Sequence, residues 1–237
     1  MTDPASGEHA LRGAPVTAPH PMRSTYDREL ADVKDRVLRM GSMVESQIRA
    51  AIGALVAHDV AAATSVITGD RDINDVQRET TGLIALVIAT QSPVARDLRF
   101  LLTLDHVSYE LERMGDHAKS VAKQARKLAP SAPLQDYVHL PNLGSLVADQ
   151  VRGIVRALVD LDEQQARAVA VVDDDVDDLY HAIFASVLDL MRADPANVDP
   201  GTRILFAAHY LERIGDRVTN IAEDIVFLAS GQVEDLN

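Results

Sequence analysis

The sequence predicts an all-α protein of two tandem, pseudo-symmetric three-helix bundles, six helices in all. Three observations carry that prediction. Apolar residues recur at steps of three and four along most of the chain. Prolines fall mainly between those periodic stretches. The second half of the chain repeats the first.

The first stripe runs through Tyr26, Leu30, Val33, Val37, Met40 and Val44, and Ile48, Ala51 and Leu55 continue it after a one-residue stutter. This predicts a helix over about 27–58. Asp59 suits the N-cap of a second helix over 60–91, open to a break at Gly69-Asp70. Ser92-Pro93 ends it, because a residue before proline avoids the helical region. A third helix follows over 94–128. Pro130, Pro133 and Pro141 mark a linker at 130–141. Beyond it come a helix to about residue 161, another over 163–192, a break at Asp194-Pro195, and a last helix over 200–230 stopped by Gly231. The units are therefore 23–129 and 142–231, with a short tail at 232–237. Residues 1–22 read as a disordered extension with no apolar signal-peptide core, and Met22 is an alternative start.

Composition narrows the classes. Apolar residues make up 47% of the chain, so a core can form, but it must be built from Ala, Val, Leu and Ile because Trp is absent and Phe and Tyr are few. With no cysteine there are no disulfides, thiolate metal sites or Cys nucleophiles. No apolar run reaches the roughly 18–20 residues that a bilayer needs, so a cytoplasmic location is expected. The net charge of −13 repels phosphate backbones and anionic lipid, which sets aside nucleic acid and favours cations or basic partners.

The duplication is specific. Moved on by 103 positions, Ile48, Leu55, Val56 and Asp59 fall on Val151, Leu158, Val159 and Asp162. Asp70, Asp72, Ile73 and Asp75 likewise fall on Asp173, Asp175, Val176 and Asp178. On the last helices the shift is 100, and LERMGD at 111–116 matches LERIGD at 211–216.

Helical phasing gives this segment chemistry. Leu111, Met114, Ala118, Val121, Ala125 and Leu128 form a buried stripe, so Glu112 and Asp116 fall together on the other side, with Asp105 and Lys123. In the second half Leu211, Ile214, Val218, Ile221, Ile225 and Leu228 make the stripe, and Glu212, Asp216, Asn220 and Glu223 form the outward column. Acids four apart repel, and an interior helix glycine such as Gly115 or Gly215 costs about 1 kcal/mol relative to Ala. Repeating both unfavourable choices suggests a site, and paired carboxylates can hold a hard cation or iron. The plainer reading is an acidic face left in water, since one such pair means little among 36 acids. The 70–75 and 173–178 acids read as solvated caps, because they lack a calcium loop's central Gly and closing Glu.

LERMGDHA, LERIGDRVTNIAEDIVFLASG and the SPVARDLR stretch at 92–99 resemble the PhoU family over about residues 23–231. The resemblance implies two three-helix bundles that regulate phosphate uptake and keep the phosphate-starvation response off. The implied partners are a phosphate ABC transporter, through its ATPase subunit, and a sensor histidine kinase, with membrane contact only through them. It also implies a homodimer and surface metal, whether iron, zinc, magnesium or manganese. Carried over by position, the ligands would be Glu112, Asp116, Glu212 and Asp216, with Asp105, Asn220 and Glu223 beside them. Lys123 stands where the second half has Glu223, which makes the first site the weaker. No catalytic set is evident. A carboxylate-bridged di-iron enzyme would need inward Glu-x-x-His pairs, which the last helices lack. A metal-free scaffold that meets a basic partner stays open.

Overall fold

Each apolar stripe needs neighbours to bury it, and short loops turn consecutive helices antiparallel. In the computed structural model, which describes residues 21–134 and 139–236, the result is helical throughout, with no strand among the described residues. The first half contains α1 (Pro21–Val56), α2 (Val60–Gln91) and α3 (Ala95–Leu128). The second contains α4 (His139–Asp160), α5 (Glu163–Val171), α6 (Asp173–Ala193) and α7 (Val198–Ser230), with a 3-10 turn at Pro195–Asn197. No helix among the described residues is long and apolar enough to cross a membrane.

The expected punctuation is present and doubled. Asp59 and Asp162 cap α2 and α5 by accepting from the amides of Ala62 and Gln165, both at 2.9 Å. The residues before them, His58 and Leu161, both adopt left-handed backbone at φ 52° and 50°. Ser92 ends α2 at φ 48°, and Gly231 ends α7 at φ 76°.

Some boundaries differ from expectation. Most of the expected N-terminal extension lies outside the described residues, and α1 begins at Pro21, ahead of residue 27. α4 begins at His139, so Pro141 sits in its first turn, where a missing amide costs little. The suspected break at Gly69 does not occur. Val66, Asp70 and Ile73 are buried on either side of it, and that packing outweighs one glycine. The break falls instead at the equivalent position of the second half. There Val172 separates α5 from α6, and its N–H bonds back to Val169 in a tightened turn. Asp173, Asp174 and Asp175 follow. Three adjacent carboxylates gain at the start of a helix, where the dipole is positive, and would lose that in its interior.

The halves share one core. α1 packs on α4 and α3 on α7, while α2 and the α5–α6 arm lie outside. The α1–α4 seam is reciprocal. Gly41 faces Val155, and Gly144 faces Ile52. These are the same two repeat positions with their roles exchanged. A Cβ on Gly144 would stand 2.5 Å from Ile52 Cγ1, and one on Gly41 would stand 2.7 Å from Val155 Cγ2. Arg49 and Arg152 close the seam by pairing with both Glu45 and Asp149. Across α3–α7 the repeat is chemically unequal. Arg217 donates to buried Glu110 at 2.8 Å, whereas the equivalent positions hold a ring stack of His117 on Tyr210 at 6.0 Å.

Alanine normally strengthens a helix by about 1 kcal/mol over glycine. Gly144→Ala should nevertheless unfold at lower denaturant, because overpacking of this kind costs about 1–3 kcal/mol. An equal or higher midpoint would show that α1 and α4 are not held at this separation.

Candidate functional site

In each half the repeated segment meets the outer helix over its glycine. In the first half a Cβ on Gly115 would lie 3.2 Å from Ile73, 3.3 Å from Gln47 Oε1 and 3.6 Å from Asp70 Oδ1. In the second, a Cβ on Gly215 would lie 2.6 Å from Asp173 Oδ1, 3.3 Å from Val176 and 3.6 Å from Gln150 Oε1. Gly215 thus admits the Asp173 carboxylate against the backbone of α7, while Gly115 makes room on α3 for Ile73 and Gln47 beside Asp70. These contacts use pseudo-equivalent residues, Gln47 with Gln150 and Asp70 with Asp173.

This corrects two expectations. Asp70 is no solvated cap, being only 2% exposed on α2. The neighbouring Asp72, Asp75, Asp175 and Asp178 are exposed, as expected. The acids of the repeated segment do not stand on an open outer face either. The Glu112 and Glu212 side chains keep 16% and 19% of their surface, Asp116 and Asp216 about twice that. They are partly covered where the outer helix packs, because α3 has neighbours on three sides, in α1, α2 and α7.

Other proposed members lie elsewhere. Asp105 accepts from Thr81 Oγ1 at 2.6 Å, further back along α3. Glu223 accepts from the Leu236 amide at 3.1 Å and so holds the tail, which Arg167 also holds through Glu234. Asn220 and Lys123 are exposed. Arg113 and Arg213 pair with Asp116 and Asp216 of their own helices. Residues the motif alone did not point to complete each cluster: Asp70, Asn74 and Lys119 in the first half, and Asp173, Asp177 and Thr219 in the second. The 103-residue repeat carried the signal for Asp70 and Asp173.

The two clusters differ in charge. In the first, Lys119 Nζ donates to Asp70 Oδ2 at 2.7 Å and lies 3.5 Å from Asp116 Oδ1. Asn74 Nδ2 reaches the same Asp70 oxygen at 3.5 Å. In the second, Asp177 replaces Asn74 and Thr219 replaces Lys119. Asp173 then has neutral partners, the Thr219 hydroxyl at 3.3 Å and the Gln150 amide, in place of an ammonium. Glu212 Oε2 is buried without a hydrogen bond, although His209 Nδ1 is 3.3 Å away, and its counterpart Glu112 Oε2 is orphaned in the same way.

The electrostatics follow. Burial, with Asp216 next, lifts Glu212 from 4.5 to about 7. Burial also raises Asp216, with Asp177 adding to it against Arg213. Asp173 is raised by burial first and by Asp216 and Asp177, while hydrogen bonds from Gln150 and Thr219 pull the other way. Glu112 rises too, through burial and Asp116. Lys119 rises because Asp70 bonds its ammonium.

The donor chemistry of the second cluster fits a hard cation: four carboxylates, an orphaned buried oxygen and no ammonium. Among the described residues no three such side chains already meet at one point, so an ion would draw them inward. The first cluster offers less room, because Lys119 stands between its aspartates. Among the described residues the buried carboxylates are Asp70 and Glu110, and no inward carboxylate–histidine set faces the core.

A family model for the PhoU domain matches residues 37–125 and 140–225. The chain is 37% identical over 216 residues to a phosphate-specific transport system accessory protein PhoU homolog of Clostridium acetobutylicum, covering 91% of this chain and 99% of that one. A homolog of the same name from Caulobacter vibrioides is 36% identical over 214 residues, covering 90% and 93%. The crystal structure of PhoU from Pseudomonas aeruginosa superposes with a TM-score of 0.83 at 33% identity, covering 87% of this chain and all of that one. PhoU from Streptococcus pneumoniae gives 0.82 at 28% identity, with 89% and 99% covered. The chain belongs to the PhoU family.

Two outcomes follow from the clusters. Between pH 4.5 and 7 folded Glu212 binds its proton more readily than the unfolded chain does, so stability falls as pH rises through that window. In chelator, chemical denaturation should show this decline, and Glu212→Gln should flatten part of it. An unchanged slope would contradict the assignment. Lys119→Met, also in chelator, should lose about 3 kcal/mol, the low end for a broken buried pair because Lys119 keeps some solvent. A loss below about 1 kcal/mol, the range of surface pairs, would mean that Asp70 needs no counter-charge.

Proposed function

We propose that this member of the PhoU family is a binding and signalling module that restrains the phosphate-starvation response and moderates phosphate uptake. Its partners in this reading are the ATPase subunit of a phosphate ABC transporter and a sensor histidine kinase. The carrying observation is family membership across both repeats, together with relatives named as phosphate-specific transport accessory proteins. The membrane is then reached only through partners, and the working form is a homodimer in the cytoplasm.

The reading includes metal. Glu212 and Asp216, with Asp173 and Asp177 from α6, would hold iron, manganese, zinc or magnesium. A bound cation would neutralise the cluster and tie α6 to α7. Support comes from the carboxylate excess and the orphaned oxygen of Glu212. A second reading has one specific observation in its favour: Lys119 satisfies the equivalent cluster with an ammonium. A partner's lysine or arginine could do the same in the second half.

Deleting the gene should switch phosphate-starvation genes on at ample phosphate. Expression that stays fully repressed would contradict the regulatory role. Protein purified without chelator should carry metal by elemental analysis, and Glu212→Ala with Asp216→Ala should remove it. Unchanged content in that variant would reject these ligands.

A further inference from the structure

We infer that Lys119 is a built-in cation that takes the place of metal in the first half, so that the protein has a single metal-binding half, the second. The inference rests on the metal reading above.

The two clusters share an outer-helix aspartate (Asp70 or Asp173), the Glu and Asp of the repeated segment, a glycine beneath them and a buried glutamine (Gln47 or Gln150). They differ at two positions. Asn74 and Lys119 in the first half are Asp177 and Thr219 in the second. One cluster therefore holds three carboxylates with an ammonium among them, and the other holds four carboxylates with none.

Lys119 is well placed for the part. Its Nζ is 2.7 Å from Asp70 and 3.5 Å from Asp116, bridging the same two helices that an ion would bridge. A divalent ion there would stand against a fixed positive charge a few ångströms away, and would have one carboxylate fewer to hold it. In the second half the corresponding position carries the short neutral Thr219, whose hydroxyl reaches Asp173 at 3.3 Å. Buried Gln150, 3% exposed, has its amide beside Asp173, and its Oε1, without a hydrogen bond, points at the same spot over Gly215. In the first half Gln47 Nε2 does have a partner, the Val66 carbonyl at 3.3 Å. Orphaned buried oxygens occur in both clusters, at Asp70 Oδ1 and Glu112 Oε2 in the first and at Glu212 Oε2 in the second, so what separates the halves is the ammonium. Lys123, the other first-half lysine, is exposed and does not enter the cluster.

The test exchanges the two positions in the full-length protein. Wild type and variants are dialysed anaerobically against Fe2+ and, separately, against Mn2+, and bound metal is counted by elemental analysis. Circular dichroism and melting in chelator check the fold. Glu212→Ala/Asp216→Ala should fall to background, while Glu112→Ala/Asp116→Ala should keep the wild-type content. Asn74→Asp/Lys119→Thr should bind about twice the wild-type amount. Thr219→Lys should bind none and should melt higher than wild type in chelator, since its ammonium would neutralise the second cluster. A folded Asn74→Asp/Lys119→Thr with unchanged metal would overturn the inference, and so would Thr219→Lys with full wild-type metal. If the first variant fails to fold, Thr219→Lys decides by itself. Loss of half the metal in Glu112→Ala/Asp116→Ala would overturn the inference yet leave the metal reading standing. Wild type that binds neither ion would overturn both.

Discussion

A carboxylate pressed against a helix backbone and shut away from water must be neutralised, protonated or paired. Much of the functional region follows from that constraint. Asp173 can approach α7 only because Gly215 leaves the surface bare, its Oδ1 standing 2.6 Å from where a Cβ would be, and Gly115 leaves the matching room on α3 for Ile73 and Gln47, with Asp70 beside them. The two interior helix glycines, each unfavourable by about 1 kcal/mol, are therefore tied to the neighbours they admit. With Asp70 or Asp173 in place, Glu112 and Asp116, or Glu212 and Asp216, add charge to the same cluster. The first half answers with Lys119. The second has no ammonium there, only the Thr219 hydroxyl on Asp173 and Arg213 on Asp216, and burial with Asp216 raises its Glu212 to about 7.

The scaffold that holds these clusters is symmetric where packing matters and unequal where charge does. Gly41 with Val155 and Gly144 with Ile52 are one contact made twice, as expected when a duplicated unit packs on its copy. At the α3–α7 seam the same repeat positions hold Glu110 with Arg217 on one side and His117 with Tyr210 on the other. Burial is the main cause that drives His117 down to about 4, with Arg217 and Arg213 next, so it meets Tyr210 as a neutral ring. Hydrophobic packing fixed the distance between the copies, and the polar positions were then free to diverge.

Much of the fold was legible in the sequence. Steps of three and four residues, Asp caps and the Ser-Pro stop located the helices to within a few residues, and the repeat supplied the two-unit plan. The break at Val172 was sought instead at the equivalent Gly69, which stays helical; what sets Val172 apart is the run of three aspartates that follows it, against Asp70-Arg71-Asp72 in the first half. The site was half legible. Phasing at 100° per residue says how far Glu112 lies from the stripe, but not which neighbour leans over it. The Asp-rich stretch of α2 read as solvated because its exposed members, Asp72 and Asp75, outnumber the one that is buried. The sequence pointed to Lys123 as the residue that sets the halves apart, and the structure puts a different lysine beside the acids. Lys123 lies on the motif's helix but projects into water, whereas Lys119 becomes meaningful only once α2 brings Asp70 to it.

The central claim is that two equivalent clusters differ in what balances their charge. A crystal of the wild-type protein grown with Mn2+ and measured at an anomalous wavelength reads this directly. The account predicts an anomalous peak bounded by Asp173, Asp177, Glu212 and Asp216, and no peak between Asp70 and Asp116, where Lys119 stays in place. Equal peaks in both clusters, or a peak in the first alone, would contradict it.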